Sequence, residues 1–431
     1  KDINLFASTI TTNIRFMQGY KTIIEDANFV TLQGIKAKYL SHFTETGGFG
    51  GENTYGRSGI VVSGRNCVIK DCDIEFSAAQ GISLLGEGNK AFNNVLKSVN
   101  YIVSNAGALC TGSICMDCEV AYNTISNTSH IGINFAGLIN SDGKNKGIAR
   151  IHHNKLFDFM LRTNDSGGIN DVSTFGNWAR LDHNVMYKTF NTKRSDQDVY
   201  GLYFDYNEGS YLVDHNLIYG MKQAMLINKS KNMSIYNNTF LSNTATEQGI
   251  IDAVGGDGLS DTIRNNILSG AHKQPCCTFV NLFNSVTQNN IVNAFGSVQN
   301  DLFVNPAAGN FQLKSTAENA IDKGLNIYQF NDPIVGSTVD LGAFEFGVPA
   351  WSAGPTKLLP PTIIPNSGEF LDEAMISFKS DTTGPGVSIR YTLNGSEPTI
   401  NSPLYTQPVS IKDTTWIKAR IFIDLLPVGD V

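Results

Sequence analysis

His153-Asn154-Lys155-Leu156, His183-Asn184-Val185-Met186 and His215-Asn216-Leu217-Ile218 are three copies of one short unit: a polar residue, Asn, any residue, then an apolar one. The unit begins earlier, as Asn93-Asn94-Val95-Leu96 and Tyr122-Asn123-Thr124-Ile125. It continues as Asn237-Asn238-Thr239-Phe240, Asn265-Asn266-Ile267-Leu268 and Asn289-Asn290-Ile291-Val292. Successive second asparagines stand 29, 31, 30, 32, 22, 28 and 24 residues apart. Val68 to Ile74 is a degenerate earlier copy, and Val30 to Ile35 another. Self-similarity at such a period marks a stack of repeats, each burying its neighbour's apolar face. Every period holds short β-type runs broken by Gly, Asn or Ser, with no room for a three-turn helix. Leucine-rich and helical repeats are thereby excluded.

The pattern resembles the right-handed parallel β-helix, an all-β solenoid whose coils each supply two or three short strands and stack about 4.8 Å apart. Asn at the coil turn accepts left-handed backbone geometry, and its amide can bond the Asn above and below. The expected role of the Asn ladder, and of His153, His183 and His215 beside it, is therefore structural. Composition agrees. Of the 13 prolines none precedes Pro275, as suits strands paired on both sides. Hydrophobic residues make up 41% and charged residues 16%, which excludes a disordered chain. No run approaches the ~18 apolar residues of a membrane span.

Asp301-Leu302-Phe303-Val304-Asn305-Pro306, Gly309 to Leu313, Ala320 to Gly324 and Asp340 to Glu345 resemble the closing segment that follows such solenoids in secreted carbohydrate-active proteins. Residues 1–347 are read as the β-helix, and 348–365 as a proline-rich linker. Residues 366–431 are read as a small β-sandwich, alternating apolar and polar at period two. Ser388 to Thr399 looks like a hairpin around Asn394-Gly395. With Ser402-Pro403-Leu404-Tyr405 and Thr415 to Arg420, it resembles the chitobiase/β-hexosaminidase C-terminal domain.

The net charge of −7 argues against nucleic acid as a partner. Residues 141–240 nevertheless hold 12 Lys+Arg against 10 Asp+Glu, a local surplus that favours an anionic ligand there. The seven cysteines fit no zinc template and are read as core-filling thiols or one local disulfide. No cofactor is called for, a structural calcium ion being the one compatible addition. The chain opens on Lys rather than Met and is read as a piece of a longer protein. The expected setting is secreted, periplasmic or cell-surface. The expected partner is a polysaccharide bound by a monomer, with no membrane involved.

Chemistry is sought on the outward residues of one sheet, since alternate strand positions face a groove. Aligning Gly81-Ile82-Ser83-Leu84, Gly132-Ile133-Asn134-Phe135, Gly168-Ile169-Asn170-Asp171, Gly201-Leu202-Tyr203-Phe204-Asp205 and Met225-Leu226-Ile227-Asn228 turns Ser83, Asn134, Asn170, Tyr203 and Asp205 outward. Glycosidic hydrolysis needs two carboxyl groups, ~5–5.5 Å apart for retention or ~6.5–9.5 Å for inversion. Asp205, strand-borne beside Tyr203, is the foremost candidate. Asp171 lies one coil earlier in nearly the same register, and strict alternation would bury it unless a bulge intervenes. Asp165 competes as the partner, with Asp198 one coil later as a weaker form of it.

Asp165-Ser166-Gly167-Gly168-Ile169 and Gly201-Leu202-Tyr203-Phe204-Asp205 together resemble the paired Asp-x-Gly-x-Ile and Gly-Ile-Tyr-x-Asp motifs of β-helical glycoside hydrolases related to certain α-L-fucosidases and β-xylosidases. Asn170 stands where Tyr is usual. That resemblance implies a glycoside hydrolase, on a sulfated, fucose-containing polymer. Asn134, Arg162, Asn170, Lys193, Arg194, Tyr203 and Glu208 are the candidate substrate contacts, and Arg180 adds to the local positive charge. A polysaccharide lyase is the first rival, needing a strong base such as Arg162, Lys193 or Lys222 and a cation facing a uronate. A non-catalytic adhesin is the second.

Overall fold

A computed structural model describes residues 28–40, 59–101, 103, 107–111, 116–135, 149–172, 178–188, 199–205, 208–228, 230–242, 248–253, 261–270, 286–292, 294–328, 330, 332–354, 361–365, 370, 372–380, 387–423 and 426–428. The repeat folds as three parallel sheets of ten, nine and eight strands, visited in rotation by successive strands along the chain. The first runs from Thr31–Gln33 to Val286–Gln288, the second from Lys36–Lys38 to Ile267–Leu268, and the third from Ile60–Val62 to Gln248–Ala253. Strands of three residues suffice because each inner position meets its counterpart one coil on. Leu32, Ile69, Ala91, Val120, Ile151, Leu181, Val213, Ile235 and Ile263 form one such inner row. These rows share one hydrophobic core with those of the other two sheets. This is a parallel β-helix, as the repeat predicts.

The turn from first to second sheet is the repeated unit itself. Its leading residue is left-handed in every copy: φ is 58° at Asn93, 56° at Tyr122, 53° at His153 and His183, and 51° at His215. The strained geometry thus falls one residue before the ladder, on whatever side chain stands there. The following Asn points inward. From Asn94 to Asn290, each amide Nδ2 donates to the Oδ1 of the next Asn at 2.9–3.0 Å. Cys72 replaces Asn in the degenerate copy: its N–H donates to Asn94 Oδ1 at 3.0 Å, and its thiol reaches Lys70 O at 3.2 Å and Leu32 O at 3.9 Å. Outside the ladder His153, His183 and His215 stack face to face at 4.7 and 4.9 Å, in the turn role expected of them.

Cys67, Cys72 and Cys110 are buried in the stack, and Cys118 is disulfide-bonded. The closing segment carries a short helix, Ser297–Leu302, and an antiparallel strand pair, Phe303–Asn305 with Asn310–Leu313. It does more than cover a last coil, because it runs back along the turns. Gly342 N–H donates to Asn265 O, and Gly354 N–H to His153 O, both at 2.7 Å. Trp351 meets His183 edge-on at 5.0 Å. The first compact unit accordingly extends to Gly354, taking in residues 348–354 of the predicted linker.

The second unit, from Pro355 onward, holds two three-stranded antiparallel sheets that share a core of Ala374, Ile376, Phe378 and Ala419. Asn394-Gly395 does form a turn, with Gly395 at φ 75°. The strand before it, Val387–Thr392, takes as its partner Lys418–Ile423. The returning chain adds only a bridge between Arg390 and Leu404.

Candidate functional site

The third sheet carries the site, and its alternation is set by one irregularity. A Cβ on Gly168 would lie 2.9 Å from the core ring of Phe159, whereas one on Gly167 would point at Tyr203. Gly168 and Ile169 therefore both face inward, and from Ile169 onward the strand alternates in register with Leu202 and its neighbours. The outward row then reads Val61, Ser83, Cys110, Asn134, Asn170, Tyr203 and Leu226.

Asp171 follows from that register. It pairs with Phe204, points inward and is 2% exposed. Its Oδ2 accepts the Tyr211 hydroxyl at 2.5 Å. The bulge that would turn it outward lies too early in the strand to do so. Asp171 is a core carboxylate, and its candidacy as a groove catalyst is corrected on that ground.

Asp165 and Asp205 do come together. Asp165 is exposed in a left-handed turn, φ 62°, immediately before strand Ser166–Val172. Asp205 ends strand Val199–Asp205, half-buried. The Tyr203 hydroxyl lies 3.1 Å from Asp165 Oδ1 and 3.4 Å from Asp205 Oδ2. Those two oxygens are consequently no more than about 6.5 Å apart, a spacing on the scale of carboxyl pairs that act on glycosidic bonds. Burial, followed by the two neighbouring carboxylates, pushes the Tyr203 phenol up, so it stays protonated and donates. Asn228, one coil on from Asp205, donates Nδ2 to Asp205 Oδ1 at 2.5 Å. The single Tyr203 proton can go to either carboxylate, the shorter contact being to Asp165, so Asn228 is the steady donor to Asp205.

The flanking row is less open than alternation suggests. Asn134 and Asn170 face outward but are 5% and 4% exposed, and Asn170 Oδ1 accepts the Ser166 hydroxyl at 2.7 Å. Tyr203, at 6%, packs with Tyr200 and Leu226. Among the described residues near this row, Asn164 and Asp165 are exposed and Asp205 and Asn228 half-buried. Arg162 is exposed three residues before Asp165 and donates to Tyr101 O. Glu208 is no loop residue. It opens strand Glu208–Asp214 of the first sheet. Arg180 belongs to that sheet also, paired in two-pronged fashion with Asp214 at 2.8 and 2.6 Å, and is removed from the groove set. Lys193, Arg194 and Asp198 lie outside the described residues.

Sequence reasoning missed Asn228 as Asp205's partner, although the aligned runs place both at one register. It also missed the charged network on the first sheet and the side chain that joins it from the closing segment, Asp332. Two groups there present ligand atoms within 4.8 Å of one another, His152 with His153 and Asp182, and His183 with His215 and Asp332.

Residues 365–426 match the chitobiase/β-hexosaminidase C-terminal domain family. No curated protein matches the chain by sequence. Among solved structures, the chain is similar to one described as "Crystal structure of pectate lyase Pel9A", with 14% identity and a TM-score of 0.37, over 74% of this chain and 86% of that one. It is also similar to "The complex structure of XylC with xylose", with 13% identity and a TM-score of 0.37, over 93% of this chain and 66% of that one. The molecule is thus a parallel β-helix followed by a module similar to the chitobiase/β-hexosaminidase C-terminal domain.

Proposed function

We propose that the chain is a glycoside hydrolase that cleaves a polysaccharide with Asp165 and Asp205. The observation that carries the reading is the Tyr203 hydroxyl, within hydrogen-bonding reach of both carboxyl groups. Asp205, strand-borne and held by the Asn228 amide, suits the nucleophile. Asp165, across the shared Tyr203 hydroxyl and open to solvent, is assigned the acid that protonates the leaving oxygen. The upper bound of about 6.5 Å between the bonded oxygens admits both the retaining arrangement and the near end of the inverting range. The local basic surplus and the motif resemblance support an anionic, sulfated and fucose-containing polymer as substrate, met outside the cell.

A reducing-end assay across a panel of neutral and sulfated polysaccharides tests the reading. Asp205→Asn and Asp165→Asn should each lower turnover by about 10²–10⁴-fold while leaving polymer binding in place. Undiminished turnover in Asp205→Asn sinks the assignment. Unsaturated products would mark a lyase, and bound but uncleaved polymer with wild-type protein would mark an adhesin.

A further inference from the structure

We propose that His183, His215 and Asp332 bind a first-row divalent metal ion of the zinc type, fastening the closing segment to the turn ladder. The three side chains converge from distant parts of the chain. His183 Nε2 lies 3.2 and 3.4 Å from the two Asp332 oxygens, and His215 Nε2 lies 4.0 Å from Asp332 Oδ2. Ligand atoms each ~2.0–2.2 Å from one tetrahedral zinc ion stand about 3.2–3.6 Å from one another. The His183–Asp332 edge already has that length; the His215–Asp332 edge closes from 4.0 Å, and the His183–His215 edge, within 4.8 Å, closes by up to about 1.2–1.6 Å as the rings tilt together.

The orientation of the rings is fixed from behind. His183 Nδ1 lies 2.9 Å from Asp182 Oδ2, and His215 Nδ1 lies 3.0 Å from Asp214 Oδ2. A nitrogen facing a carboxylate at that distance carries the proton and donates it, so in the neutral ring the lone pair sits on Nε2. A buried carboxylate behind the far nitrogen of each ring is the support that metal-binding histidines use. Asp182 and Asp214 are themselves held by two-pronged pairs with Arg150 and Arg180. They are thereby neutralised and serve as orienting groups. Asp332 remains as the anionic oxygen ligand.

The coil spacing contributes the rest. Stacked rings 4.9 Å apart, with planes 7° from parallel, present two Nε2 atoms on the same side, towards Asp332, and Trp351 stands edge-on to His183. Two imidazoles and one carboxylate, with a position left for water, suit zinc over calcium or magnesium, which take oxygen ligands. The group sits at turns between the first and second sheets, whereas Asp165 and Asp205 belong to the third. Its role is accordingly one of fastening, independent of the hydrolase reading.

The full chain, stripped with chelator and titrated with ZnCl2 at neutral pH by calorimetry, should bind one equivalent. His215→Gln and Asp332→Asn should each weaken binding at least ~10-fold, and Asp214→Asn, behind His215, by ~10–100-fold. Zinc should raise the melting temperature of wild type, and chelator should reverse the rise. Circular dichroism identifies variants that keep the β-helix, and Asp332→Asn, on the closing segment, leaves the ladder untouched. Co2+ in place of Zn2+ should give the intense visible bands of a tetrahedral site. Absence of stoichiometric binding by folded wild type overturns the proposal and leaves a protonated His183 paired with Asp332. Unchanged affinity in both His215→Gln and Asp332→Asn overturns it too, as does binding lost only in His152→Gln, which would move the ion to the neighbouring group.

Discussion

Replacing Asn123 by Leu tests what the ladder contributes. The side chain is fully buried. Its Oδ1 accepts Asn94 N–H at 3.0 Å and Asn94 Nδ2 at 2.9 Å, and its Nδ2 donates to Ala91 O at 3.0 Å and to Asn154 Oδ1 at 2.9 Å. Leu matches the volume and keeps none of the four bonds. Asn154 Oδ1 still receives Asn123 N–H, and Asn94 Nδ2 still reaches Ile69 O. The losses therefore centre on Asn94 N–H and Ala91 O, buried groups that cost about 1–3 kcal/mol each when left without partners. We expect a loss of about 3–5 kcal/mol, read as a lower urea midpoint by circular dichroism. Asn290 is the internal control. It ends the described ladder, is half-buried, accepts from Asn266 and donates only to Ile263 O. Water can replace those bonds, so Asn290→Leu should cost about 1 kcal/mol. Equal costs at the two positions, or less than about 1 kcal/mol at Asn123, would refute the idea that internal amide pairing holds the coils in register.

Tyr203→Phe should keep the fold and lower kcat by about 10-fold or more in the reducing-end assay, because it removes the hydroxyl shared by Asp165 and Asp205. Tyr211→Phe should destabilise by about 1.5–3 kcal/mol in urea, since a buried Asp171 loses a short hydrogen bond, with little change in kcat. Asp261 gives a pH effect. It is 1% exposed, accepts Met233 N–H at 2.7 Å, and burial pushes its carboxyl up to about 6. A folded value above the unfolded ~3.9 means that folding takes up a proton, so this contribution is complete below about pH 4 and is lost as pH rises through about 6. Asp261→Asn should flatten the urea midpoint over that window and exceed wild type at pH 7. A midpoint that tracks wild type across the window would remove Asp261 from the account.

The repeat was legible because its physical demand is local. A buried amide that must both donate and accept admits Asn at each coil, and the eye finds eight of them. The left-handed position was less legible, since residues as different as Tyr122, His153 and Asn237 occupy it, and the bonds of the following Asn hold them there. In the site, alternation placed Tyr203 and Asp205 outward and Ile169 and Leu202 inward. It could not locate the irregularity at Gly168, which depends on how closely the Phe159 ring approaches the backbone. The irregularity lies upstream of Ile169, so plain alternation from there keeps Asp171 in the core. The network around Asp332 was invisible for a different reason: 149 residues separate it from His183, and no period links them.

The returning closing segment changes how the stack can come apart. Coils that touch only their neighbours melt one at a time from an end, each at its own small cost. Here one continuous strap is bonded to the turns at His153, Asn237 and Asn265 and rests on His183 and His215 between them. Peeling the last of these coils means detaching the strap from it first. The strap acts as a splint, converting a set of independent rungs into one cooperative block. The strap's end, Gly354, lies against Thr124 and Lys155, so the coils before Thr124 should be the first to exchange their amide hydrogens.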